Sequence, residues 1–259
     1  MPSTSSQAPQ ELPLSGTVSL VTGASSGIGA EVALGIARRG GAVALVARRA
    51  DRLKDLAARI EEDGGTALAV PAELSGAESA RAVVDAVTTR FGRLDILVNN
   101  AGYGVRADVE DSDPEDWDSM VDVNVRAVLH LSRCALPHLL SAAAGGPRGV
   151  ADLVTTGSVA GRIPRPHNSV YSATKHAVGS FTEALRAEVT GRGVRVGIVE
   201  PGMVRTEMTA GGQSSAGGAM PPEKWLAPAD VARSVLFMVE QPPHAAVNEI
   251  MVRPTAQEH

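Results

Sequence analysis

Cysteine and aromatic residues are scarce in this chain of 259 residues, and positive charge is not in excess. Cys134 is the only cysteine, which excludes a disulfide framework and a cysteine-based zinc cluster. Acidic residues outnumber basic ones by 29 to 24, whereas a nucleic-acid binder usually carries a basic stripe. No apolar run approaches the roughly 18 residues of a membrane span. We therefore expect a cytoplasmic protein without nucleic-acid or membrane partners.

Apolar segments of strand type and helix type alternate along the chain. Short apolar runs predict seven strands, at 17–22, 42–47, 67–70, 94–98, 150–155, 194–199 and 249–252. Helical spacing predicts helices at about 27–39, 51–63, 78–90, 114–142, 171–190 and 228–239. Because most of the strands are apolar throughout, helices should cover both faces of the sheet. The pattern predicts one doubly wound α/β domain over residues 15–259, with a parallel seven-stranded sheet.

Two segments lack this pattern. Residues 1–14 are rich in Ser, Pro and Gln, which predicts a disordered N-terminal arm. Residues 209–222 are rich in Gly and Ser, which is typical of a flexible surface loop. That loop also follows the end of a predicted strand, where open α/β sheets bind ligands, which favours, over a plain surface loop, a flexible substrate loop that acts as a mobile lid.

A glycine-rich turn joins the first predicted strand to the first helix. Gly23, Gly27 and Gly29 stand there in the order Gly-x-x-x-Gly-x-Gly. Glycines at this position allow a tight turn and let the backbone approach a pyrophosphate at the helix N-terminus. The strand before it and the helix after it agree with this function, so the turn predicts a dinucleotide site.

The end of the second predicted strand indicates which dinucleotide binds. An NAD enzyme places an acidic residue there for the ribose 2′-hydroxyl, and an NADP enzyme places arginine. This chain has Arg48 and Arg49 and no acid at the tip. A guanidinium can hold a 2′-phosphate through two hydrogen bonds, which favours NADP(H). The alternative is that both arginines merely cap the start of a surface helix.

Hydroxyl and ammonium groups with catalytic potential follow in the second half. Tyr171 and Lys175 are four residues apart on a predicted helix, so the ammonium lies beside the phenol. A nearby positive charge lowers the pKa of a phenol and makes it a usable acid or base near neutral pH. Ser158, after the fifth strand, can donate a hydrogen bond to a reacting carbonyl oxygen. His138, His167, His176 and His244 have no metal-ligand spacing, so no metal is predicted.

Taken together, these motifs resemble those of the short-chain dehydrogenase/reductases. The glycine turn, Asn99-Asn-Ala-Gly102, Asn124, Ser158, Tyr171-x-x-x-Lys175 and Pro201-Gly202 follow in the family's order, and the likeness extends from about Thr17 to Pro254. The resemblance implies a Rossmann fold and an oxidoreductase. Within the family, the chain is similar to NADP-dependent reductases of hydroxy acids and secondary-metabolite carbonyls, including the clavulanate dehydrogenase type.

The resemblance implies a role for each catalytic residue. Tyr171 is the proton donor to the carbonyl oxygen, and Lys175 binds the nicotinamide ribose and lowers the pKa of Tyr171. Ser158 positions the substrate oxygen, and Asn124 holds a water of the proton relay. The implied substrate contacts are Ser158, Tyr171, Tyr103, His167 and Met203.

The resemblance also implies cofactor contacts. They are Gly23, Ser25, Ser26, Gly27, Ile28 and Gly29 at the pyrophosphate; Arg48 and Arg49 at the 2′-phosphate; Asn100, Ala101 and Gly102 at the adenosine ribose; Tyr171 and Lys175; and Pro201, Gly202, Val204 and Thr206, with Thr206 at the carboxamide. Glu73 and Leu74 stand where the family usually has Asp-Val or Asp-Leu against the adenine, and the Leu74 amide is the safer of these two contacts.

Two other functions compete with a carbonyl reductase. A nucleotide-sensing regulator that lost catalysis should lack one of Asn124, Ser158, Tyr171 and Lys175, and all four are present. Epimerases and dehydratases of nucleotide sugars tend to be longer and have another glycine spacing. Family resemblance favours a homotetramer, or a homodimer, that uses the helix after Tyr171 and the C-terminal segment.

Overall fold

The computed structural model describes residues 12–210 and 220–258 and contains the predicted seven-stranded sheet. Its strands are β1 (Val18–Thr22), β2 (Ala42–Ala47), β3 (Ala67–Pro71), β4 (Ile96–Asn99), β5 (Ala151–Thr156), β6 (Val194–Pro201) and β7 (Glu249–Val252). All pairs are parallel, in the order β3-β2-β1-β4-β5-β6-β7. The predicted doubly wound α/β fold is therefore confirmed, and its strand order reverses between β1 and β4.

Helices connect the strands close to the predicted positions. They are α1 (Gly27–Ala37), α2 (Ala50–Glu62), α3 (Ala77–Phe91), α4 (Pro114–Val121), α5 (Ala127–Gly145), α6 (Ser169–Val189), α7 (Glu207–Ala210) and α8 (Pro228–Val239). The single helix predicted at 114–142 is interrupted by a π turn, Asp122–Arg126. None of the helices within the described residues is long and apolar enough to cross a membrane.

Two hydrophobic cores lie on opposite faces of the sheet, as the continuously apolar strands predicted. Helices α1, α2 and α8 pack on one face through residues such as Ile36, Leu53 and Val235. Helices α3, α5 and α6 cover the other face, with Leu139 and Leu185 among their buried side chains. This double cover removes both apolar surfaces from water and leaves the strand ends free to carry polar groups.

The boundary predicted for the N-terminal arm is too late in the chain. Leu14 is fully buried, and its amide donates to the Arg39 carbonyl at 2.9 Å. Thr17 Oγ1 also donates to the Leu14 carbonyl at 2.7 Å. Residues 12–14 therefore belong to the fold, because an apolar side chain at position 14 fills space beside α1. The rest of the predicted arm, and residues 211–219 of the predicted loop, lie outside the described residues.

Candidate active site

The glycine-rich turn packs so closely on its neighbours that side chains are excluded. Gly23 has φ +66°, and a Cβ on it would lie 2.9 Å from Ala101 Cα. A Cβ on Gly29 would lie 2.4 Å from the Gly23 carbonyl oxygen. Helix α1 begins directly in this turn, at Gly27. The tight turn leaves residues 25–28 half-exposed at a helix N-terminus, and this backbone cradle is suited to an anionic group such as a pyrophosphate.

Hydroxyl groups at the strand ends hold this turn against the segment that follows β4. Thr22 Oγ1 accepts the amides of Asn100 and Ala101, both at 2.9 Å. The Asn100 side chain donates to the Thr22 carbonyl at 3.0 Å and accepts from Thr156 Oγ1 at 3.3 Å. Asn100 therefore ties β1, β4 and β5 together at the switch point. Neither threonine was singled out from the sequence, although a hydroxyl at a strand end beside the glycine turn was a usable signal.

The two arginines after β2 behave differently. Arg48 is exposed and makes no hydrogen bond or ion pair within the part of the chain that the structure describes. Arg49 is the N-cap residue of α2, but its side chain does not cap that helix. Its guanidinium donates instead to Ser25 Oγ, at 2.8 Å from Nη2, and to Ser26 Oγ at 2.8 Å. The helix-capping alternative is therefore wrong for the Arg49 side chain.

A carboxylate that the sequence did not reveal completes this cluster. Glu207, the first residue of α7, pairs with Arg49 at 2.6 Å and also with Arg52. These two hydrogen-bonded ion pairs lower the pKa of Glu207 to about 2. The pairing joins residues more than 150 positions apart, so no local pattern could have predicted it.

The predicted adenine-side residues lie after β3. Glu73 is exposed, while the Leu74 side chain packs against the core beneath it. The placement leaves the Glu73 carboxylate in water, and its contact with adenine remains a prediction.

The predicted catalytic residues Ser158, Tyr171 and Lys175 come together near the start of α6. Lys175 Nζ donates to the Thr156 carbonyl at 2.9 Å and lies 5.7 Å from the centre of the Tyr171 ring. Ser158 neighbours the Tyr171 phenol and lowers its pKa through a hydrogen bond. Ser158 Oγ also accepts the Ala160 amide at 3.1 Å, which fixes its orientation. The grouping predicted from the Tyr-x-x-x-Lys spacing is therefore present in three dimensions.

Burial shifts both ionisable groups of this trio toward their neutral forms. Burial lowers the pKa of Lys175 from 10.5 to about 8. Burial also raises the pKa of Tyr171 above 10, and the hydrogen bond from Ser158 only partly offsets that rise. Removal from water therefore dominates the pKa of Tyr171. A lowering of this pKa by Lys175 stays a prediction.

Asn124 lies in the π turn and uses its side chain to position a loop. Its Oδ1 accepts the Tyr103 amide at 2.8 Å, and its Nδ2 donates to the Tyr103 carbonyl at 2.8 Å. Nδ2 also donates to Thr174 Oγ1 at 3.0 Å, on the helix that carries Tyr171 and Lys175. A π turn inside a helix often marks a functional site. The predicted water relay through Asn124 remains a prediction.

Two of the predicted substrate residues, Tyr103 and His167, have acidic partners. The Tyr103 hydroxyl donates to Asp116 Oδ1 at 2.5 Å, which raises the pKa of Tyr103. His167 has φ +62°, pairs with Asp108 and lines a cavity of about 210 Å³ beside the start of α6. This cavity carries Arg106 as well as the carboxylates of Asp111, Asp113 and Asp116, so its charge alone selects no substrate.

The segment after β6 was predicted to contact the cofactor, and its residues face different surroundings. Val204 is buried in the core beside α8, so its side chain faces away from the cleft. Gly202 lies against Gln257, whose Oε1 accepts the Met203 amide at 2.9 Å. Thr206 faces the glycine turn, since a Cβ on Gly27 would meet Thr206 Cγ2 at 3.4 Å.

The chain is similar to known proteins. The protein-family profile described as short chain dehydrogenase matches residues 17–216. An uncharacterized oxidoreductase of Staphylococcus epidermidis is 35% identical over 237 residues, which are 92% of this chain and 96% of that protein.

Solved structures show the same similarity. A short chain dehydrogenase from Burkholderia cenocepacia J2315, in complex with NADP, is 34% identical with a TM-score of 0.83, over 94% of this chain and 99% of that one. A 3-ketoacyl-(acyl-carrier-protein) reductase from Brucella melitensis, complexed with NADH, is 32% identical with a TM-score of 0.82, over the same 94% and 99%. Similar proteins thus hold both the phosphorylated and the unphosphorylated dinucleotide.

Proposed function

Because the chain belongs to the short chain dehydrogenase family, and is thus an oxidoreductase, we propose that it uses NADP(H) to interconvert a ketone or aldehyde with its alcohol. The observation that carries the proposal is the grouping of Ser158, Tyr171 and Lys175, with Gly102 beside the lysine. A Cβ on Gly102 would lie 3.8 Å from Lys175 Nζ, so the bare backbone leaves room beside the ammonium.

Groups suited to a dinucleotide follow β1 and β2 at the carboxyl edge of the sheet. Gly23, Gly27 and Gly29 leave a backbone cradle for a pyrophosphate, and the exposed Arg48 at the end of β2 has no other described partner. When bound, the nicotinamide supplies the hydride that the carbonyl carbon accepts. Since similar proteins hold NADP or NADH, the choice of NADP(H) depends on the arginines.

The protein's own groups handle the proton. The Tyr171 hydroxyl donates a proton to the substrate oxygen as negative charge develops there, and Ser158 donates a second hydrogen bond to that oxygen. Burial that raises the pKa of Tyr171 keeps the phenol protonated, which suits a proton donor in the reductive direction. Lys175 lies close enough to stabilise the phenolate that remains after transfer.

The experiment that tests the cofactor is a titration of the purified protein with NADPH and NADH, followed by nicotinamide fluorescence. Wild type should bind NADPH more tightly. Arg48→Ala should weaken the binding of NADPH roughly 10- to 100-fold and leave the binding of NADH nearly unchanged, because a hydrogen bond to a charged group contributes about 1.5–3 kcal/mol. Arg192→Ala, before β6 at the opposite edge of the sheet, removes the same charge and serves as the control.

Two outcomes would contradict this proposal. Equal or tighter binding of NADH by wild type would overturn the choice of NADP(H) and favour alcohol oxidation as the working direction. Binding of neither dinucleotide would favour the regulator that lost catalysis.

A further inference from the structure

The side chain of Arg49 reaches the serines of the glycine-rich turn and is engaged by hydrogen bonds within the protein. Its Nε and Nη2 lie 3.1 and 2.8 Å from Ser25 Oγ, and Nη2 lies 2.8 Å from Ser26 Oγ. These hydrogen bonds fix the guanidinium in place and turn Nη1 toward Glu207, at 2.6 Å. The rigid fork is therefore aimed at a carboxylate that belongs to the protein itself.

Glu207 gathers the positive charge at the start of α2. Arg49 and Arg52 are three residues apart, which places them as neighbours on one helix face, and each binds a different oxygen of the Glu207 carboxylate. The pKa of Glu207, about 2, keeps it ionised at any physiological pH. The contact therefore does not switch with pH, and another anion that binds the same guanidinium groups would displace it.

The position of this carboxylate coincides with the position expected for the cofactor's extra phosphate. The ribose 2′-substituent is recognised at the end of β2, where Arg48 and Arg49 stand. A phosphate monoester and a carboxylate engage a guanidinium in the same way, and the phosphate carries up to about two negative charges. Both anions thus require the same donors.

We propose that the Glu207 carboxylate competes with the 2′-phosphate of NADP(H) for Arg49 and Arg52, and so weakens binding of the phosphorylated cofactor selectively. The inference rests on the proposed use of NADP(H). NADH lacks the 2′-phosphate and leaves the Glu207 pairs intact. Glu207 is therefore a specificity residue that reduces the preference that Arg48 and Arg49 create.

The exposure of the pairs sets the size of the effect. The side chains of Arg49, Arg52 and Glu207 are 40%, 44% and 53% exposed. Ion pairs this exposed contribute little each and are screened by salt, so a phosphate can displace them. We expect removal of the Glu207 charge to tighten NADPH roughly 3- to 10-fold at low salt, with a smaller gain at high salt.

The test compares dissociation constants of wild type, Glu207→Gln and Glu223→Gln for NADPH and NADH. Glu223 is an exposed carboxylate in the same β6–α8 connection, so its variant carries the same change in net charge as the control. Adenosine 2′-monophosphate and adenosine 5′-monophosphate, titrated by calorimetry, isolate the contribution of the 2′-phosphate. A thermal melt of each variant verifies that it is folded.

The inference is supported if Glu207→Gln binds NADPH and adenosine 2′-monophosphate more tightly than wild type does, and if its dissociation constant for NADH stays within twofold of the wild-type value. Unchanged or weaker binding of NADPH, or an equal change in the binding of NADH, would overturn the inference and assign Glu207 a structural role at α7. The wild-type ratio of NADPH to NADH affinity tests the proposed cofactor separately. If wild type does not prefer NADPH, the proposed cofactor is wrong, but the affinity for adenosine 2′-monophosphate still measures whether Glu207 competes with a 2′-phosphate.

Discussion

Replacing Lys175 with methionine should make the free energy of unfolding less dependent on pH, and it should abolish activity. Lys175 is buried, with 5% of the residue exposed, and its pKa in the folded chain is about 8 against 10.5 in the unfolded chain. That difference corresponds to about 3 kcal/mol of destabilisation at pH 7, at roughly 1.4 kcal/mol per pKa unit. Methionine has a similar length and no charge, so Lys175→Met removes this cost.

The sign follows from proton linkage. The unfolded chain binds the proton of Lys175 more tightly than the folded chain does, so wild-type stability rises as the pH increases from below 8 toward 10.5. Integrated with these two pKa values, the gain in unfolding free energy between pH 7 and pH 9 is about 1 kcal/mol. Tyr171 does not interfere in this range because its pKa lies above 10.

The loss of the hydrogen bond to the Thr156 carbonyl works in the opposite direction. A buried carbonyl left without its donor costs about 1–3 kcal/mol, so the net gain of Lys175→Met at pH 7 is smaller than the charge effect alone. The change with pH is the cleaner quantity. The unfolding free energy of the variant minus that of wild type should fall by about 1 kcal/mol from pH 7 to pH 9.

Urea denaturation followed by circular dichroism at pH 7, 8 and 9 measures this difference. Lys224→Met, which removes an exposed ammonium, is the matched control and should follow wild type at every pH. If the difference for Lys175→Met stays constant across this range, burial does not destabilise the charged form of Lys175 and the reasoning is refuted.

Three further predictions concern catalysis, the glycine cradle and assembly. Tyr171→Phe should lower turnover by about two orders of magnitude or more and leave NADPH affinity nearly intact, and a fully active variant would refute the assignment of the acid. Gly29→Ala should cost about 1–3 kcal/mol in urea denaturation and weaken cofactor binding, whereas Gly145→Ala, whose Cβ meets no atom within 4 Å, should be neutral or slightly stabilising. We expect a homotetramer with Phe237 and Met251, 53% and 42% exposed, inside a C-terminal interface, and a mass of 26.7 kDa by mass photometry would contradict it.

Much of the fold was predictable because its signals are local. Apolar runs broken by turns specified all seven strands, and the bounds of β2 and β7 agree with the structure residue for residue. The π turn at Asp122–Arg126 was not predictable, since the helical apolar spacing continues through it. The N-terminal boundary failed for a related reason: Leu14 has polar and proline-rich neighbours, and only the folded α1 provides the surface that buries it.

The candidate site divides in the same way. Four-residue spacing placed Tyr171 beside Lys175, and the glycine turn marked the cradle, because each depends on one helix or one turn. Tertiary structure alone decided how far Tyr171 and Lys175 are buried, and this burial raises the pKa of Tyr171 and lowers that of Lys175. It also decided the partner of Arg49: Glu207 meets it across 158 positions because parallel strands bring their carboxyl ends, and the segments that follow them, to one edge of the sheet.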